Sequence, residues 1–416
     1  MKNHFLNPPQ KNNSMKEKSR IFIWTLFDFA NTSFSIVVVT FVYAVYFKKT
    51  VAQNLPIGDL YWSISTSIAM IITAIISPIL GAIADYSTGK KRFLLFFTLL
   101  CIAATSLLYF VAEGMVFWGV FLFVIANIGF EAGLVFYDSF LPEITQPKNF
   151  GRVSGYGFAM GYLGSLATLA IIYPIIRNGL THETFPITSL FFLIFSLPLF
   201  LFLKDRRKKI KKVNSYTKIG LNRVWTTLTH LKHYKNLVLF LLAYFFYIEG
   251  VNTVIFFSGN YASTTLGFDT SELIIFFLTV QTTAIFGSIL LGILADSIGQ
   301  KRTIVITLLL WLITITLAYF IADKTGFYVV GLLAGAAMGS SQSTSRSLMS
   351  KLTPPEKKTE FFGFYSFFGK SSAVIGPLVF GLVSYITKSQ RLAIISIGFF
   401  FIVGLLILTK VQDPKD

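Results

Sequence analysis

Two stretches of this chain carry one pattern: Gly81-Ala-Ile-Ala-Asp85-Tyr-Ser-Thr-Gly89-Lys90-Lys91-Arg92 and Gly292-Ile-Leu-Ala-Asp296-Ser-Ile-Gly299-Gln-Lys301-Arg302. Each ends a long apolar run in a glycine and an aspartate, then turns through a second glycine into basic residues. The first copy has one extra residue between Asp and Gly. Two further correspondences run in the same order. Asp28-Phe-Ala-Asn31-Thr32 matches Glu249-Gly-Val-Asn252-Thr253, and the pair Gly155, Gly161 matches Gly363, Gly369. Three matches at offsets of roughly 210–220 residues point to an internal duplication.

The surrounding sequence places both copies in a membrane. Of 416 residues, 54% are hydrophobic and 13% charged, against about 25% charged in ordinary soluble domains. Mean hydropathy is +0.67, and 45 phenylalanines exceed what one soluble core buries. Apolar runs recur from Ile21 to Leu408, and about twenty apolar residues cross a bilayer as a helix. Only a helix satisfies its own backbone in lipid. The predicted spans are 21–47, 60–84, 93–112, 115–140, 153–176, 184–203, 236–259, 272–295, 303–322, 326–350, 361–387 and 389–409. The expected fold is an all-α polytopic membrane protein, twelve transmembrane helices in two pseudo-symmetric six-helix bundles. The bundles are expected at 21–203 and 236–410, with tails 1–20 and 411–416 and a basic linker 204–235. That linker opens with Lys204-Asp205-Arg206-Arg207-Lys208-Lys209, a run that cannot cross the membrane. From Thr217 to Lys235 it reads as an amphipathic helix on the membrane surface or as a solvated tether.

Charge placement orients the chain. The net charge is +17, yet 28 of the 36 Lys and Arg fall on the side holding both termini and the linker, and 6 on the other. This is the positive-inside pattern, so the termini are expected in the cytoplasm of a bacterial-type inner membrane. The basic surface then faces anionic lipid, and nucleic acid is not expected as a partner. One cysteine, Cys101, excludes an internal disulfide and a Cys-based zinc site. The histidines have no metal-binding spacing, and no metal or cofactor is expected. The polar first twenty residues carry no cleavable signal, so the first span is expected to direct insertion.

The duplicated loop resembles the signature of the major facilitator superfamily. Its glycines permit close helix approach, and its Asp among cations reads as an interhelical gate on the cytoplasmic side: Asp85, Lys91, Arg92, Asp296 and Arg302, with Asp138 near the end of span 4. Further stretches resemble the vacuole-effluxer branch, the fungal autophagy-related amino-acid effluxers and their bacterial relatives. They are Trp24-Thr-Leu-Phe-Asp28-Phe-Ala-Asn31-Thr-Ser-Phe, Tyr137-Asp-Ser-Phe-Leu-Pro142, Gly151-Arg-Val-Ser-Gly-Tyr-Gly, Gln342-Ser-Thr-Ser-Arg346-Ser, and Glu360-Phe-Phe-Gly-Phe-Tyr365 with Gly369-Lys370. The resemblance implies a solute transporter, for amino acids among other candidates, with spans 1, 4, 7 and 10 around a central cavity.

Six ionisable residues lie within spans: Asp28, Glu131, Asp138, Glu249, Arg346 and Lys370. Each costs at least about 2.5–3.5 kcal/mol to insert, so each should serve a pathway or a partner. Asp28 and Asn31 share a helix face, and Glu249 and Asn252 repeat it; both faces are expected to meet near the midplane. A carboxyl in a partly dehydrated cavity can load and release a proton near neutral pH. Asp28, Glu131 and Glu249 are therefore the candidate proton-coupling groups, unless they only bond polar neighbours across helix contacts. Asn31, Asn252, Gln342, Arg346 and Lys370 are the candidate substrate ligands. A guanidinium suits a carboxylate, but Arg346 and Lys370 equally suit the neutralisation of buried acids.

No phosphate loop, zinc motif or nucleophile triad is present, so an enzyme is not expected. The expected function is secondary active transport of a small zwitterionic or carboxylated metabolite by alternating access, coupled to protons, by a monomer. Export of a drug- or siderophore-like molecule, a transporter-like receptor, and an intramembrane lipid handler are the alternatives.

Overall fold

The computed structural model describes residues 15–87, 89–205, 215–372 and 375–413. The tail 1–14, the charge run 206–214 and residues 414–416 lie outside the described residues. Among the described residues all regular structure is helical.

The first half holds span 1, Glu17–Val51, then span 2, Ile57–Tyr86, and span 3, Lys90–Phe110. Span 4 has its main helix at Val116–Asp138, span 5 at Phe150–Arg177 and span 6 at Thr184–Phe202. The second half holds span 7, Lys235–Leu266, span 8, Thr270–Ile298, and span 9, Gln300–Phe320. Span 10 is Lys324–Leu352, span 11 is Lys358–Ser372 with Ile375–Thr387, and span 12 is Gln390–Thr409. A linker helix, Tyr216–Thr229, lies between the halves.

Ends are set by local chemistry. Asp269 and Glu272 form a reciprocal capping box at the start of span 8, and Asp323 and Ser389 cap spans 10 and 12. Span 7 runs to Leu266, about two turns past the expected 259, and stops only where Gly267 takes φ +70°. The second glycines of the duplicated loop, Gly89 and Gly299, have φ of 103° and 98°. The chain reverses there into the next helix, a conformation that disfavours any Cβ. The outer part of span 1 winds in wide π turns at Ser35–Phe41 and Phe47–Val51, and such turns cluster at functional sites.

Among the described residues eleven helices are long and apolar enough to cross a membrane. Span 10 fails that measure because its second half reads Gly339-Ser-Ser-Gln-Ser-Thr-Ser-Arg-Ser. From Ala337 to Ser350 it is almost wholly buried by protein, so its polar side chains never meet lipid. Helices approach closely where glycines permit. Thr32 donates to the Gly161 carbonyl at 2.8 Å, and a Cβ at Gly164 would strike the Phe29 backbone.

Gly164→Val should therefore push span 5 off span 1 and cost about 1–3 kcal/mol. A lowered melting temperature in detergent, measured by intrinsic fluorescence, is the expected result.

Candidate functional site

The described ends of the chain and the linker helix share one end of the bundle, and there two equivalent joints lock the halves together. Asp85 accepts hydrogen bonds from the Thr359 and Glu360 amides at 3.0 and 2.8 Å. Asp296 accepts from the Gly151 and Arg152 amides at 2.7 and 3.1 Å, and from the Arg152 side chain at 2.6 Å. Both carboxylates sit at helix N-termini, where first-turn N–H groups lack partners and the dipole favours an anion. Glycine is required beside each. A Cβ at Gly81 would run into the Thr359 carbonyl, at Gly292 into that of Gly151, at Gly155 into that of Ser288, and at Gly363 into Ser77 and Pro78.

Of the gate residues read from sequence, Asp85 and Asp296 hold backbone amides of the facing half. Lys91 turns away to the Leu203 carbonyl at 2.6 Å and gives its amide to Asp205 at 3.0 Å. Arg92 and Arg302 form no ion pair among the described residues.

Deeper in the bundle, Arg346 of span 10 enters the first half. Its Nη1 lies 2.9 Å from Asp138 and 3.2 Å from Asp28, while Nε and Nη2 donate to the Ser154 hydroxyl and carbonyl at 3.0 and 2.9 Å. The guanidinium is 4.2 Å from the Phe158 ring and 4.8 Å from Trp24, and is 1% exposed. Stacking and pairing together compensate its desolvation. Tyr137 donates to Asp28 at 2.8 Å, and the Trp24 indole donates back to the Tyr137 carbonyl at 3.2 Å. A Cβ at Gly157 would occupy the guanidinium's place, so that glycine makes room for the cation.

Toward the opposite side, Lys370 of span 11 pairs with Glu131 of span 4, a further ionic contact across the halves. Gln342 accepts from Tyr162 at 2.6 Å, again across the halves. Arg346 and Lys370 each pair with acids here.

Glu249 is arranged differently. It is fully buried, and its Oε1 accepts from the Gly376 amide and from Thr253, while Oε2 has no partner. Among the described residues no cation pairs with it. Asp28 and Glu249 thus have different partners despite their shared pattern. Span 1 packs on spans 5 and 6, and span 7 on spans 11 and 12, so each acid goes to donors on a different neighbour. Asn31 is buried with its Nδ2 unpartnered, and Asn252 is half-buried.

Sequence reasoning missed Trp24, Tyr137, Ser154, Phe158 and Tyr162, all on the first half. Asp138 and Arg346 stand 208 positions apart, the same separation as Gly155 and Gly363. They are equivalent positions of the two halves carrying opposite charge, and that pattern could have flagged their pairing.

The family described as "Vacuole effluxer Atg22 like" matches residues 61–415. An MFS-type transporter, YxiO, of Bacillus subtilis (strain 168) is 33% identical over 412 residues, covering 94% of this chain and 95% of that protein. Autophagy-related protein 22 of Kluyveromyces lactis is 23% identical, covering 84% and 81%. Among solved structures, the proton:xylose symporter XylE superposes with a TM-score of 0.77 at 15% identity, covering 96% of each chain. The human organic anion transporter MFSD10 gives 0.75 at 14% identity, covering 95% of this chain and 100% of its own. These two likenesses carry the fold alone. The chain belongs to the Atg22-like vacuole-effluxer family and is a multi-pass membrane transporter of the major facilitator superfamily, not an enzyme.

Arg346→Ala would leave Asp28 and Asp138 buried without a cation, a loss of about 3–5 kcal/mol for a broken buried pair. The expected result is a large fall in melting temperature that Asp28→Asn partly restores in the double variant. Asp85→Asn with Asp296→Asn should loosen the seal and raise thiol labelling of a cysteine placed at Ser77, assayed in a Cys101→Ser background.

Proposed function

We propose that this transporter moves a small zwitterionic or carboxylated metabolite, an amino acid in the first instance, by alternating access coupled to protons. The carrying observation is the Lys370–Glu131 pair, which bridges the halves through opposite charges. A zwitterion offers the same two charges. Its carboxylate can take Lys370 and its ammonium Glu131, so binding exchanges a cross-half contact for two substrate contacts. Such exchange supplies the differential affinity that shifts the balance between states.

The state described is closed at the linker side. Spans 2 and 11 and spans 5 and 8 are joined there, whereas Ile375–Thr387, the outer half of span 11, packs on spans 7 and 12 of its own half. With the termini in the cytoplasm, as the charge bias implies, this form is closed to the cytoplasm. Passage inward requires release of Arg346 from Asp28 and Asp138 and of both aspartates from their helix ends.

The interior spans carry four acids and two bases, and the ion pairs use three of the acids. Glu249 is left for the proton. A charge there without a counter-ion is costly, so proton loading and the Gly376 contact are coupled in this mechanism. The aminated substrates implied for the vacuole-effluxer family fit this charged interior better than a bulky apolar drug.

Counterflow in proteoliposomes with labelled amino acids and small carboxylates tests the reading. Wild type should exchange label, and Lys370→Met should weaken substrate binding about tenfold or more, equivalent to 1.4 kcal/mol. Glu249→Gln keeps the contact to Gly376 and should retain exchange while losing accumulation driven by a pH gradient. Intact pH-driven accumulation in that variant would remove Glu249 from the coupling path.

A further inference from the structure

The linker helix Tyr216–Thr229 has three distinct faces. At 100° per residue, Gly220, Arg223, Val224 and Thr227 form one sector. Gly220 sits against Ile79 and Ile83 of span 2, where a Cβ would collide. Arg223 and Thr227 reach across to Glu360 of span 11. Arg223 Nε lies 3.3 Å from it, Thr227 donates to its other oxygen, and Lys357 donates to Thr227 at 2.7 Å. Glu360 is fully buried, and its own amide donates to Asp85. The helix therefore ties span 2 of one half to the latch residue of the other.

A second sector is polar and open, with Lys218, Asn222, Thr226 and Thr229 all exposed. The third sector, between these two, is apolar: Leu221, Trp225 and Leu228 are 50%, 69% and 43% exposed. Such a stripe has no place in water. It continues the lipid-facing surface of span 2, whose exposed Ile68, Ile71, Ile72 and Ile75 end one turn from Ile79. Exposed Lys218, Lys232 and Lys235 flank the stripe, which suits anionic head groups.

We infer that the Leu221–Trp225–Leu228 stripe is seated in the linker-side leaflet, and that anionic lipid there holds the helix on Glu360 and stabilises the closed joint between spans 2 and 11. One face reads the bilayer and the adjoining face holds the seal. A helix of fourteen residues is rigid enough to transmit one to the other. This interaction is independent of the substrate and of proton coupling.

Two measurements in vesicles decide it, neither of which needs transport. The first is quenching of Trp225 by lipids brominated near the head-group end of their chains, taken as the difference between wild type and Trp225→Phe. Trp225 should lose about half its emission, as expected of a ring at the interface. The second is the distance distribution between spin labels at Lys148 and Lys410, exposed on the linker side of different halves, in a Cys101→Ser background. In phosphatidylglycerol vesicles the short distance should dominate. Changing to phosphatidylcholine, or substituting Leu221→Ser with Trp225→Ser, should transfer population to a longer distance. Absence of quenching overturns the proposal; if it accompanies dimer formation in detergent, the stripe belongs to a second copy. Quenching with distances indifferent to lipid charge and to the serine variants overturns the link to the seal.

Discussion

The structure depends on how one cation is housed. Arg346 leaves its own half and is accommodated by two carboxylates, a serine and an aromatic wall in the other. A buried guanidinium is tolerated only where pairing and hydrogen bonds repay its desolvation. That condition draws the inner parts of spans 1, 4 and 5 onto span 10. The polar sequence of span 10 follows, because a helix surrounded by protein need not be apolar. Gly157 follows too, since any side chain there would displace the guanidinium.

Around this centre, the duplicated architecture is used in two different ways. The aspartate–amide joints are true duplicates: Thr359 and Glu360 stand to Asp85 as Gly151 and Arg152 stand to Asp296. Each is a helix N-terminus stoppered by an anion from the other half, with glycines bringing the backbones together. The ionic core breaks the duplication. Asp138 and Arg346 occupy equivalent positions with opposite signs, and so they attract where two copies of one residue would repel. A pair of this kind holds a closed state firmly yet separates into two solvated ions when the halves part. Reversibility therefore needs no strained backbone.

The acids divide by the company they keep. Asp28, Asp138 and Glu131 each face a cation from the opposite half, so their charge reports on whether the halves are together. Glu249 faces a backbone amide and a hydroxyl within its own half, so its contacts depend on the geometry of span 11.

Periodicity, composition and repeated motifs determined the membrane class, the duplication and the six interior charges. Each follows from residues near in sequence or from the cost of placing a charge in lipid. Span 10 was legible as a span only because its apolar first half precedes the serine-rich stretch. Which charge meets which was decided by tertiary structure alone. Asp28 and Glu249 look alike in sequence, yet one is taken by a guanidinium 318 positions away and the other by an amide 127 away. The gate aspartates stand beside basic loops but bond to helix ends from the other half. Hydrogen-bond partners are selected by distance in space, and a one-dimensional pattern fixes which face a side chain shares without fixing what is packed against it.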